Sequence, residues 1–259
     1  MAARARATRS SRQRSPLAVR LALGAAVALI AALTINGLYQ VARKPSELLF
    51  PVSGVLYKTP EQTWRTYGVL FRRYATPTIP APLLASLAQQ EGSGNPLVRT
   101  YWRFAWVSRP FDIYRPASSA VGMYQITDGT FAAARHYCVH DHAVVREGSW
   151  DDWHACWFNG LYTRVVPADA VELTAAYLDV TVNQILARHA LAATAPRVRH
   201  IAATVHLCGP AAAEAYAARG LRFNAATRCG DHDPRAYLRR VDELDVLFTR
   251  LAAEAPQAQ

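Results

Sequence analysis

The stretch Pro82-Leu83-Leu84-Ala85-Ser86-Leu87-Ala88-Gln89-Gln90-Glu91-Gly92-Ser93-Gly94-Asn95-Pro96 sets one carboxylic acid at the end of an apolar run and follows it with glycines. Leu83, Leu84 and Leu87 share one face of a helix, and Glu91 lies four residues beyond Leu87, so the acid continues the buried stripe. Gly92 and Gly94 accept the left-handed backbone that closes a helix, and Pro96 cannot continue one, which puts Glu91 in the last turn, pointing inward. A carboxyl held against apolar surface resists ionisation, as a general acid working near neutral pH must. The competing reading is a solvated last-turn residue, the common fate of glutamates.

A second block, Ala120-Val121-Gly122-Met123-Tyr124-Gln125, follows in order. Together the two blocks resemble the catalytic domain of lytic transglycosylases of the soluble-lytic type. In that family a helix ends in Glu-Ser, two residues, then Asn-Pro, followed by Gly-Leu-Met-Gln. A third family block, Ala-Tyr-Asn-Ala-Gly-Pro, matches Val205-His206-Leu207-Cys208-Gly209-Pro210 only at its Gly-Pro end. The resemblance implies a mainly α, lysozyme-like helical catalytic domain, with Glu91 as the catalytic residue. It also places Ser93, Asn95, Met123, Tyr124, Gln125 and His206 at the substrate. The chain departs from the family at Gly92, where the family has serine, at Tyr124 in place of methionine, and at His206 and Leu207 in place of tyrosine and asparagine. A histidine could donate the tyrosine's hydrogen bond while adding a titrating group.

If the family likeness holds, the substrate is peptidoglycan, the bond cut is the β-1,4 link from N-acetylmuramic acid to N-acetylglucosamine, and the product ends in 1,6-anhydromuramic acid. No cofactor is implied. Two other functions compete. A lysozyme-like muramidase with inversion needs a second carboxylate about 6.5–9.5 Å from the first, with Asp112, Asp128, Asp151 and Asp152 as the candidates by residue type. A non-catalytic peptidoglycan-binding assembly protein, part of an envelope-spanning machine, would not need Glu91.

Working outward toward the N-terminus, residues 21–42 hold an uncharged apolar run of about 20 residues, the length that crosses a bilayer. Arg4, Arg6, Arg9, Arg12, Arg14 and Arg20 precede it with no acid among them, so the positive-inside rule keeps residues 1–20 in the cytoplasm. The expectation is a single-pass anchor in a bacterial inner membrane with the catalytic domain in the periplasm. A cleaved signal peptide competes, but the run is long for one and no clear Ala-x-Ala site ends it. Those six arginines supply most of the formal net charge of +10, which removes the case for a nucleic-acid partner and leaves a mildly basic domain suited to an anionic wall polymer.

Residues 43–80 read as a connector carrying one amphipathic helix, with Trp64, Tyr67, Phe71 and Tyr74 at spacings of three and four. That stripe is core packing rather than the lining of a sugar groove. The catalytic domain is expected over 81–250, with a loose tail at 251–259. Tyr101, Trp102, Phe104 and Trp106 offer faces that stack on sugars, and Arg103, Arg109 and Arg115 offer partners for carboxylates, although many of these aromatics belong to the core.

Gln125 is expected beside the acid, holding an N-acetyl group or bracing its loop. Cys138, Cys156, Cys208 and Cys229 lie outside the cytoplasm and predict two disulfides, most simply between sequence neighbours, with three pairings open. Zinc held by Cys138, His140, His142, His154 or Cys156 is the alternative, at spacings that follow no standard pattern. Buried helices are read over 173–185 and 201–207. Glu172, at the start of the first, offers a second acid by residue type but reads first as a helix-capping charge, and a last helix starts from Asp233 and Pro234.

Overall fold

The computed structural model describes residues 16–104, 113–149, 151–152 and 155–254. The basic residues before Pro16, together with Trp106, Arg109, Asp112, His154 and the tail after Glu254, lie outside the described residues. The chain is mainly helical and divides into two compact units, one of Met1–Pro45 with Trp102–Arg115 and the other of Ser46–Tyr101 with Pro116–Gln259.

The first unit is built on α1 (Pro16–Arg43), a helix long and apolar enough to cross a membrane. At about 1.5 Å per residue its 28 residues reach roughly 42 Å. Beside it, β1 (Trp102–Phe104) pairs with β2 (Tyr114–Pro116).

The second unit is a helical bundle. Thr59 starts α3 (Pro60–Tyr74) with a capping box: its hydroxyl accepts from Gln62 N, while its own N–H donates to the Gln62 side chain. A short α2 (Phe50–Ser53) precedes it. Trp64, Tyr67 and Phe71 are buried, so the aromatic stripe is core. At the centre runs α4 (Ala81–Gly92), where Leu83, Leu84, Ala85, Ser86, Leu87 and Ala88 are all buried. A helix enclosed by α3, by α6 (Pro167–Arg188) and by α9 (Pro234–Glu254) needs no polar face, which is why the expected stripe becomes burial all round. Between them lie α7 (Ala195–Cys208) and α8 (Pro210–Ala218). Thr127 caps α5 (Asp128–Ala134), and Asp233 accepts from Arg235 N at the start of α9, as the sequence predicts. Leu251 and Ala252 pack on the core, so the last helix carries the bundle past residue 250.

The segment that follows the first cysteine forms a hairpin. Strand β3 (Tyr137–His140) pairs antiparallel with β4 (Ala143–Arg146), turning through Asp141 and His142, both at positive φ. That is the two-residue turn whose twist matches the strands. Cys138 is bonded to Cys156 and Cys208 to Cys229, so the sulfurs of the first pair are not available as thiolate ligands. Glu172 is not a cap. It lies buried inside α6, where one carboxylate oxygen accepts from Val139 N at 3.0 Å and the other from the Tyr162 hydroxyl at 2.8 Å, tying the hairpin to the helix. The early-turn charge is Asp169 instead.

Candidate active site

Glu91 occupies the last turn of α4, as its spacing predicts, and its side chain remains 18% exposed. The helix closes differently from the expectation. Ser93, not a glycine, takes the left-handed conformation (φ 48°, ψ 43°), its N–H reaching back to Ala88 O and Gln89 O, and Gly94 follows at φ 62°. Gly92 stays helical and is needed for a different reason. A Cβ there would lie 2.8 Å from Met123 O and 2.9 Å from Met123 Cα, so the absence of a side chain lets the Gly122–Gln125 turn press on the end of α4. Gly92→Ser, which restores the residue type of the resembled family, is therefore expected to cost about 1–3 kcal/mol through overpacking. Chemical unfolding of the variant checks this, and unchanged stability would show that the turn can recede.

Two groups converge on one oxygen of the acid. The Tyr237 hydroxyl, from the first turns of α9, donates to Glu91 Oε1 at 2.5 Å. His206 Nε2, near the end of α7, stands 3.8 Å from the same oxygen, close enough for an ion pair when protonated but too far for a hydrogen bond. Among the described residues none holds Oε2. Beneath His206 lies Tyr124, edge-on with ring centres 6.2 Å apart, and the Tyr124 hydroxyl donates to Leu84 O at 3.0 Å. The imidazole therefore rests on a ring that is itself tied to α4.

Burial pushes the Tyr237 phenol well above the usual 10.0, and the neighbouring charge of Glu91 pushes it further. Burial alone does the same to Tyr124, and burial followed by the charge of Glu172 raises Tyr162. A phenol whose folded value is raised holds its proton more tightly in the folded state. Its stabilising contribution is complete below the unfolded value and is lost as pH rises through the folded one. The fold is therefore expected to weaken once pH exceeds about 10, with tyrosinate absorbance from the buried phenols appearing together with unfolding. Denaturant midpoints measured across alkaline pH test this, and a flat profile would contradict it.

The remaining expected site residues divide differently from the expectation. Asn95 is fully buried, its amide donating to Ser53 O at 2.6 Å and its carbonyl accepting from Leu97 N at 2.9 Å. Met123 and Tyr124 are also fully buried. None of these three presents surface to a ligand in this structure. Gln125 takes the loop-bracing role: its Nε2 donates to Val98 O and Gly122 O, from a backbone at φ 47°. Ser93 is half-buried beside the acid, and its carbonyl accepts from Lys58 N. Arg164 locks the second block from outside through Ser119 O and Ile126 O, and its ion pair holds Asp128. Asp151 is fully exposed and bound to Ser149.

Tyr237 is the residue the sequence reading passed over. Its spacing marks it only as packing on the last helix; the available signal is chemical, since a buried tyrosine hydroxyl needs a partner and the acid supplies one. Compared with protein-family models, with characterised proteins and with solved structures, the chain matches none.

Proposed function

We propose that the protein is a membrane-anchored peptidoglycan lytic transglycosylase of lysozyme-like fold. It would cleave the link from N-acetylmuramic acid to N-acetylglucosamine and leave a 1,6-anhydromuramyl end. The observation that carries this reading is the pairing at Glu91: one partly exposed acid at the end of a buried helix, its Oε1 held by the Tyr237 hydroxyl. The resemblance of the two sequence blocks supports it, as does their packing against each other at Gly92 and Met123.

In this mechanism Glu91 gives its Oε2 proton to the glycosidic oxygen as the bond from muramyl C1 breaks. The resulting carboxylate then takes the proton from the C6 hydroxyl of the same sugar as O6 bonds to C1, and the acid is restored. No water enters. The nucleophile belongs to the substrate, so proximity replaces a second protein carboxylate. Glu172 is engaged elsewhere, by Val139 and Tyr162. Tyr237 would orient the carboxyl, and Tyr237→Phe is expected to lower turnover about tenfold to a hundredfold, the worth of a hydrogen bond to a charged group. A kinetic comparison on glycan fragments checks it; wild-type turnover would remove Tyr237 from the mechanism.

The topology belongs to the same proposal. With the basic N-terminus inside and α1 in a bacterial inner membrane, the second unit works in the periplasm, where its two disulfides are at home. Incubating the full chain with purified peptidoglycan tests the activity: soluble muropeptides are expected, and a folded protein that binds the wall without releasing sugars would favour an assembly role.

A further inference from the structure

Helix α1 is exposed or half-exposed along its length except at two polar residues, Asn36 and Gln40. Spaced by four, they stand one above the other on a single face. Asn36 Nδ2 donates to Tyr114 O at 2.6 Å, so the β1–β2 pair meets that face at Asn36. Just beyond, the Arg43 guanidinium lies over the Tyr39 ring at 5.6 Å. A tyrosine and an arginine closing an apolar helix are the residues that mark a membrane–water boundary. From Asn36 to Arg43 the helix rises about 10 Å, on the order of the depth of the polar layer beside the hydrocarbon core.

The strand pair therefore meets α1 at the level of the headgroups, and its composition suits that layer. Trp102 and Phe104 share a face, both against Tyr114, with ring centres 5.2 and 4.7 Å apart. Phe104 is nevertheless 71% exposed and Ile113 44%. Arg103 is exposed on the alternate face. Apolar rings left open to solvent at this height gain by entering the interface, and arginine pairs with lipid phosphate.

We propose that this strand pair is a second membrane contact, its aromatic face set in the outer headgroup layer of a phospholipid bilayer. Trp102 and Phe104, read from sequence as faces that stack on sugars, thus become lipid contacts, and the Asn36 amide has a partner at a depth where water is scarce. The inference rests on α1 crossing the membrane and not on the chemistry of Glu91.

The test uses the full chain in vesicles of phosphatidylethanolamine and phosphatidylglycerol, with a fluorophore on Phe104→Cys or, separately, on Ile113→Cys. Both sites are partly open, so labelling does not require unfolding. Nitroxide lipids labelled near the headgroup are expected to quench both probes several-fold more than aqueous iodide does, and soluble glycan fragments should not protect them. Quenching by iodide alone, or protection by glycan, overturns the proposal. A label on Leu29→Cys that lipid quenchers do not reach would remove α1 from the membrane and the proposal with it.

Discussion

Glu91→Gln is expected to slow glycan cleavage roughly a thousandfold or more, the upper part of the range for general acid–base catalysis, because in the proposed mechanism one residue supplies both proton transfers. Glutamine matches the carboxylate in shape. Its carbonyl can accept the Tyr237 hydroxyl bond, so the end of α4 and its contact with α9 should persist. What it lacks is a proton to donate and an anion to receive one. The measurement is the rate of release of soluble sugars from purified peptidoglycan, read beside a thermal melt. A large loss of rate with an unchanged melt fits the proposal. Unchanged release would exclude Glu91 as the acid, while a collapsed melt would make it structural.

The largest effect on stability is expected at Gly122. Its φ of 80° is a conformation that residues with a side chain adopt only at a cost, and a Cβ there would stand 2.0 Å from Arg164 O and 3.1 Å from Arg164 C. Backbone strain and forced displacement together should make Gly122→Ala cost about 3–5 kcal/mol. For a bundle of this size that lowers the melting temperature by about 10 °C. The effect should reach the site, because Gly122 carries Met123 onto the end of α4 and Arg164 holds both sides of the turn. Denaturant unfolding checks the loss; a change below about 1 kcal/mol, the ordinary effect of a point substitution, would show that the turn relaxes freely.

The parts of this fold that could be read from the sequence are those where one local rule dominates. The uncharged run of α1, the proline and cap residues opening α9, Thr127 before α5 and the neighbouring cysteine pairs each carry their own signal, and each stands where that signal puts it. The placement of Glu91 in the last turn of α4 follows from the same reasoning.

Long-range contacts escape such rules. Nothing local marks Tyr237 as the partner of a residue 146 positions away, or shows that Asn95 would turn its amide to Ser53. Gly92 has the residue type of a helix stop and yet remains helical, because its role is set by Met123 arriving from a distant block. The β3–β4 hairpin was hidden because its turn uses Asp141 and His142 where Asn-Gly would have announced it. Glu172 stands at the edge of the helix read over 173–185, but the helix begins at Pro167 and the carboxylate falls deep enough inside it to meet Val139.

The claim at the centre of this account is that bond cleavage needs one protein carboxylate and no water. Digesting purified peptidoglycan in oxygen-18 water, followed by mass spectrometry of the released sugars, tests it directly. Transglycosylation predicts anhydromuramyl ends carrying no solvent oxygen, formed by the wild-type chain and lost with Glu91→Gln. Reducing ends that contain the heavy isotope would mean that water attacked the sugar, and the mechanism would then need a second base to activate it.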